Sequence, residues 1–221
     1  MSSKAPLREQ LAEAAAALRR AQRGFQQEAV ERAIGQLRRA GTVRGALREG
    51  EIAPEFALEA ADGRLVALPD LLDRGPVIVT FFRGGWCPYC SLTLQALQRS
   101  RGEIVRYGGE ILAISLETPA ENRHLAQQLR IEFPLLSDPE GRVAHLFGVL
   151  YQVPPELVAA YREQGTDLPG RQGTHRWLLP LAATYVIDRD AMTRYAFVEA
   201  DPAERADPSE IVAALERLRE T

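Results

Sequence analysis

Cys87 and Cys90 are the only cysteines in the 221-residue chain, and they stand in the segment Arg83-Gly84-Gly85-Trp86-Cys87-Pro88-Tyr89-Cys90. Any thiol chemistry is therefore confined to one place, with two sulfurs about one helical turn apart, a spacing that can close a disulfide. The run Val77 to Phe82 before them is continuously apolar, β-branched or aromatic and predicts a strand buried on both faces. A helix starting at Pro88 would make Cys87 its N-cap and Cys90 its third residue. Proline in that first position sacrifices no hydrogen bond, because its amide would be unpaired anyway. The N-cap side chain lies where free backbone N–H groups converge, and an anion there gains roughly 0.3–1 kcal/mol, up to about 2 when partly buried. A thiolate benefits and a thiol does not, so this geometry predicts an acidic Cys87, with Arg83 as a source of further positive charge.

Two other readings of the pair are weaker. Zinc needs four ligands, and the second half of such a site is missing: there is no other cysteine, and His124, His145 and His175 lie far apart. Two inert buried cysteines would not call for a strand, a glycine turn and a helix start in register. No metal and no cofactor is expected.

The elements that must hold this segment follow from hydrophobic period and turn chemistry. Leu7, Leu11, Ala14 and Leu18 share a helical face, and Phe25, Val30, Ile34 and Leu37 continue it after Gly24. Residues 1–45 thus read as a helical extension and 46–221 as the main domain. A short amphipathic helix needs a surface for its apolar face, either its own domain or the same arm of a second copy in a homodimer. Phe56 to Leu58, the turn at Asp62-Gly63 and Leu65 to Leu68 predict a hairpin. The helix from Pro88 runs towards Tyr107, and Ile111 to Ser115 is a second buried strand. Thr118-Pro119-Ala120-Glu121 is a capping-box helix start, ending near Arg130. Phe133 to Leu136 leads into a turn at Ser137 to Gly141, and Val143 to Val149 forms a short helix. Residues 154–176 form an irregular insert with one helix, Glu156 to Glu163. Ala183 to Asp188 and Tyr195 to Val198 make a terminal hairpin, and Asp207-Pro208-Ser209-Glu210 opens a last helix with Ile211, Leu215 and Leu218 inward. Strands alternating with helices imply an α/β fold, a central mixed sheet with helices on both faces.

Composition narrows the function classes. The apolar fraction is 46% and the net charge −3, with Lys4 the only lysine. No basic stripe indicates nucleic acid, no apolar run is long enough to span a membrane, and no signal-peptide core precedes the helices. A cytoplasmic, reducing setting is the expectation, where a C-x-x-C works rather than staples.

The strand, glycine turn, C-x-x-C and helix resemble the thioredoxin superfamily. Further segments are similar to peroxiredoxins of the alkyl hydroperoxide reductase / thiol-specific antioxidant family: Ala53 to Leu58; Phe133 through Ala144 to Phe147-Gly148-Val149; and Ala183 to Asp188. The likeness covers about Gly50 to Leu218. It implies a thioredoxin fold and a thiol-dependent peroxidase that reduces hydrogen peroxide or organic hydroperoxides, with a thioredoxin-like dithiol as reductant. Against the family's Pro-x-x-x-Thr-x-x-Cys motif, the proline position holds Arg83, the threonine position Cys87 and the peroxide-attacking position Cys90. The family's distant arginine would fall near Ala182, where none stands; His175, Arg176 or Arg83 are the candidate substitutes.

The alignment thus assigns peroxide attack to Cys90, whereas helix-cap geometry assigns the acidic thiol to Cys87, favoured for attack on disulfides. The order for peroxide stays open. Supporting residues are Arg83, Trp86 as a shield over the sulfurs, Pro88, Tyr89 facing substrate, and Thr184, which occupies the region where thioredoxins place a proline facing the active site. The other reading on the same fold is a general thiol–disulfide oxidoreductase.

Overall fold

A computed structural model describes residues 5–22 and 24–220. Two helices, α1 (Leu7–Ala21) and α2 (Gly24–Arg39), precede the hairpin β1 (Ala57–Ala60) and β2 (Leu65–Ala67) and the short α3 (Leu68–Leu72). Then come β3 (Val77–Phe81), α4 (Pro88–Arg106), β4 (Glu110–Ser115), α5 (Pro119–Leu129), β5 (Leu135–Ser137) and α6 (Arg142–Leu146). The remainder is β6 (Leu150–Gln152), α7 (Pro155–Glu163), α8 (Leu168–Gln172), β7 (Leu178–Pro180), β8 (Ala182–Ile187), β9 (Thr193–Glu199) and α9 (Pro208–Arg219). No described helix is long and apolar enough to cross a membrane.

The main sheet has the order β2-β1-β5-β4-β3-β8-β9, and β6 pairs with β7 in a separate ribbon. β3, β4 and β5 run parallel, while β8 and β1 flank them antiparallel. The sheet is therefore mixed, as its alternating strands and helices imply. All five residues of β3 are buried, and their period-two alternation feeds two cores. Val77, Val79 and Phe81 join Phe147 and Tyr185 on one face, where α3 and α6 pack. Ile78 joins Cys87, Cys90, Leu94, Leu97 and Leu215 on the other, under α4 and α9. Each fully buried aliphatic side chain contributes roughly 1.5–3 kcal/mol, so the strand that leads to the thiols is anchored from both sides.

The caps act largely as their residue types dictate. Thr118 accepts the Glu121 N–H, and Asp207 accepts the Ser209 N–H. The reciprocal half of the capping box is not made, because the Glu121 carboxylate turns to Arg171 instead. The run ending at Leu136 carries β5 rather than leading straight into a turn, and the insert holds α8 as well as α7, flanked by β6 and β7.

The extension lays its buried residues on the rest of the chain. Leu7 and Leu11 of α1 pack with Ala96, Tyr89 and Leu92 of α4. Ala29 and Ala33 of α2 pack with Leu157, Ala160 and Tyr161 of α7. The stripe is shifted from the predicted one: Ala15 is buried where Ala14 is only half so, and Phe25 is exposed. Gln26 to Glu163 (3.1 Å), Gln36 to Glu156 (3.0 Å) and Arg38 to Glu199 (2.9 Å) fasten α2 along its length.

Leu94 is fully buried under the sheet and Val105 on the same helix is exposed. Leu94→Ala is expected to lower the unfolding free energy by about 2–5 kcal/mol in a denaturant titration, and Val105→Ala to change it by no more than about 0.5 kcal/mol.

Candidate active site

Cys87 is the N-cap of α4, with φ −93° and ψ 115°, and Pro88 occupies the first turn. The approach to it is a tight turn. Gly84 has φ +143°, and a Cβ there would lie 2.7 Å from Glu117 Oε1 and 2.6 Å from Trp86 Nε1, so only glycine fits. Gly84 is thus required in part by a carboxylate from another strand end, whereas a Cβ at Gly85 would meet the Leu125 side chain at 3.2 Å. Glu117 follows β4, is 1% exposed, and accepts the Gly85 N–H at 2.7 Å. Its other oxygen meets Arg171 Nη1 at 3.1 Å, and Arg171 also holds Glu121.

Both cysteines are free thiols, Cys87 2% and Cys90 0% exposed. The Cys87 sulfur makes no capping hydrogen bond to the free amides of α4. It turns inward to Cys90 instead, and the groups that hold an anion converge on Cys90. The Arg83 backbone N–H donates to Cys90 Sγ at 3.3 Å, and Arg205 Nη2 reaches it at 3.5 Å. Burial pushes the Cys90 thiol up, but the hydrogen bond from Cys87, the charges of Arg205 and Arg83 and the Arg83 N–H together hold it well below the ordinary thiol range. Cys87 moves the other way: its hydrogen bond to Cys90, burial and the negative charge of Cys90 push it well above that range. The acidic thiol is therefore Cys90, not the N-cap Cys87 that helix geometry alone predicts. The cap argument fails because the sulfur's rotamer, which sequence does not encode, points it at its partner.

The side chain of Arg83 is 8% exposed, with its guanidinium 4.8 Å from the Trp86 ring centroid and hydrogen-bonded to the Tyr161 hydroxyl of α7. Trp86 packs edge-on to Tyr161, ring centroids 5.2 Å apart, and its Nε1 is buried without a partner. Pro88 is exposed and Tyr89 half-buried. The Thr184 hydroxyl shares a 2.9 Å hydrogen bond with Thr80, its neighbour across the β3–β8 ladder, and is not bonded to either sulfur. Of the proposed arginine substitutes, Arg176 pairs with Glu140 at 3.3 Å on the surface and His175 is exposed. Arg83 is at the thiols, and Arg205, from the loop before α9, joins it. Arg205 carries no local motif and lies 115 residues from Cys90 in sequence, so only the fold could reveal it. His124 and His145 are exposed on separate helices.

A cavity of about 450 Å³ opens against Cys87, Arg83 and Trp86. Its far walls come from α1, α2 and α7 and from the segments 180–182 and 200–203.

A mixed sheet with a buried C-x-x-C at the start of the helix after an interior strand, β3, defines a thioredoxin-fold dithiol protein. Residues 50–196 match the AhpC/TSA family, and the chain belongs to that family. It is 31% identical over 153 residues to a chloroplastic peroxiredoxin Q of Oryza sativa subsp. japonica, covering 69% of this chain and 60% of the relative. To peroxiredoxin Bcp of Escherichia coli K12 it is 33% identical over 103 residues, covering 47% of this chain and 65% of the relative. The chain thus spans about 60% of the length of the plant relative. Among solved structures, peroxidoxin BcpB from Mycobacterium tuberculosis superposes with a TM-score of 0.61 at 23% identity, covering 78% of this chain and 99% of that one.

Two expectations follow from the site. Arg205→Gln should move the first ionisation of the dithiol upward, read as ultraviolet thiolate absorbance against pH, whereas Arg176→Gln should leave it in place. Burial lifts the Glu117 carboxyl to about 7 against the opposing pull of the Gly85 N–H and Arg171. The folded chain then binds that proton more tightly than the unfolded one, so stability is highest in acid and falls as pH rises through about 7. Relative to Glu117→Gln, the wild type should lose about 2 kcal/mol of unfolding free energy between pH 5 and pH 8; equal pH slopes for the two proteins would refute this.

Proposed function

We propose that the protein is a thiol-dependent peroxidase that cycles the Cys87–Cys90 pair between dithiol and disulfide, with an external dithiol of the thioredoxin type as reductant. The observation that carries this reading is the convergence of the Arg83 N–H and the Arg205 guanidinium on Cys90 Sγ, with the Cys87 thiol against it at a cavity wall. Membership of the AhpC/TSA family supports it. A C-x-x-C that cycles rather than staples would suit a reducing, cytoplasmic setting.

The residues divide the chemistry between them. The Cys90 thiolate attacks the terminal peroxide oxygen, the O–O bond breaks, and sulfur is oxidised to the sulfenic acid while the peroxide is reduced to an alcohol. Cys87, in the position next to the reacting sulfur, supplies the proton that the leaving alkoxide takes up. The Cys87 thiolate then attacks the sulfenic sulfur and expels hydroxide, closing the disulfide. The sum is one thiolate, one thiol and ROOH giving one disulfide, ROH and hydroxide. Two electrons from the external dithiol, by thiol–disulfide exchange, restore the pair. Arg83 and Arg205 keep the resting charge on Cys90, and Trp86 and Tyr161 limit water around it. Glu117 holds the turn that sets the height of Cys87.

Cys90→Ser is expected to lower peroxide consumption at least a thousandfold. Cys87→Ser should retain one turnover and accumulate a Cys90 sulfenic acid that a dimedone probe captures, but lose multiple turnover with a dithiol reductant. Fast multiple turnover in either variant would sink the paired cycle, and a sulfenic acid on Cys87 in Cys90→Ser at the wild-type rate would reverse the assignment.

A further inference from the structure

The cavity against Cys87, the thiol next to Cys90, is larger than hydrogen peroxide needs. Its volume of about 450 Å³ lies in the range of about 300–1,000 Å³ that holds small organic ligands. One wall comes from the N-terminal helices, with Leu18 of α1 and Val30, Ala33, Ile34 and Leu37 of α2 as its apolar part and Gln22 and Gln27 beside them. Arg19 and Glu31 also border it but are exposed, so the charges sit at its rim. These helices precede residues 50–196, the part that matches the family, so the wall is an addition to the family domain and not a part of it. It is also fixed in place. α1 is packed on α4, the helix that starts at Cys87, and α2 is packed on α7, which supplies Tyr161 to Arg83.

We propose that α1 and α2 form the substrate-selecting wall of the dithiol site: the cavity they close over Cys87 receives the hydrocarbon part of an organic hydroperoxide, and Leu18 and Val30 set the size it admits. This rests on the peroxidase reading and narrows its substrate. An apolar body in this cavity is removed from water, which favours its binding in proportion to the area covered. Hydrogen peroxide has no such area and gains nothing from the wall. Binding of the hydrocarbon part also holds the O–O bond at the Cys87 wall, next to Cys90, so the gain is read in kcat/KM.

The test uses the full chain and two variants that reduce the cavity from different helices, Val30→Phe and Leu18→Phe. The readouts are kcat/KM for cumene hydroperoxide and for hydrogen peroxide, calorimetric binding of the product 2-phenyl-2-propanol, and a thermal melt to confirm folding. In wild type, cumene hydroperoxide is expected to be preferred. In each folded variant, the ratio of the two kcat/KM values should fall about tenfold or more, and alcohol binding should weaken alongside it. An unchanged ratio in both variants, with peroxide turnover intact, overturns the selecting wall alone, as does alcohol binding that neither variant alters. Absence of turnover with both peroxides in wild type overturns the peroxidase reading and this proposal with it.

Discussion

The constraint that organises this site is a fully buried sulfur, Cys90, set where the surrounding groups favour a negative charge. An isolated thiolate at a site without solvent exposure would protonate, because burial disfavours the charged form. Cys90 escapes that by three contacts from three directions: the Arg83 N–H at the end of β3, the Arg205 guanidinium from the loop before α9, and the Cys87 thiol one turn back. Each contact depends on a different part of the fold. The first needs the chain to leave the sheet at Phe82 and reverse at Gly84. The second needs α9 packed across the same face as α4, so that its leading loop passes over the sulfur. The third needs a helix beginning at Pro88.

The glycine turn is itself held by a second buried ionisable group. Glu117 sits at the end of the neighbouring parallel strand and grips the Gly85 N–H, while Arg171 of the short α8 grips Glu117. The pairing β3–β4 therefore does more than build the sheet. It brings the carboxylate at the end of β4 level with the turn at the end of β3 and couples the thiol loop to the insert between β5 and β8. That insert also presents Tyr161 to the guanidinium of Arg83. A segment that looks irregular in sequence thus braces the site twice, once through the backbone of the turn and once through its arginine.

What the sequence disclosed, and what it hid, divides along the range of the interactions. β3 and α4 were legible because an unbroken apolar run and a proline after a capping position are local signals. The caps at Thr118 and Asp207 were legible for the same reason. β5 and the β6–β7 ribbon were missed because strands of three residues carry no period; their pairing is decided by neighbours far away in sequence. The thiol pair was visible from its spacing, but the identity of the acidic sulfur was not. That depends on a side-chain rotamer and on Arg205, a residue with no motif of its own. The family arginine expected near Ala182 is absent, and its positive charge is supplied from two other places, one beside the thiols in sequence and one near the C-terminus. Thr184, which the sequence places equally well near the sulfurs or as a plain strand residue, is engaged by Thr80 across the ladder.

The electrostatics that prepare the thiolate also bear on how the pair would be restored. In a Cys87–Cys90 disulfide the anion is gone, while the Arg83 guanidinium remains buried with its Nε unpartnered and Arg205 remains beside a neutral sulfur. An uncompensated buried cation is costly, so the same two arginines stabilise the reduced state relative to the oxidised one. Under the proposed cycle this favours return to the dithiol, the direction a catalyst that must be re-reduced after every turnover requires. It also locates the step at which the fold must yield. The external thiol has to reach a sulfur that is almost wholly covered, and the first turn of α4 is the part of the site nearest to solvent, with Pro88 exposed and Tyr89 half-buried under α1. Loosening that turn frees no interior hydrogen bond at Pro88, which has no amide proton to lose. Outward movement of the disulfide then costs the bonds that Cys87 makes to Gly84, Cys90 and Ser91 through the backbone, with none added at Pro88.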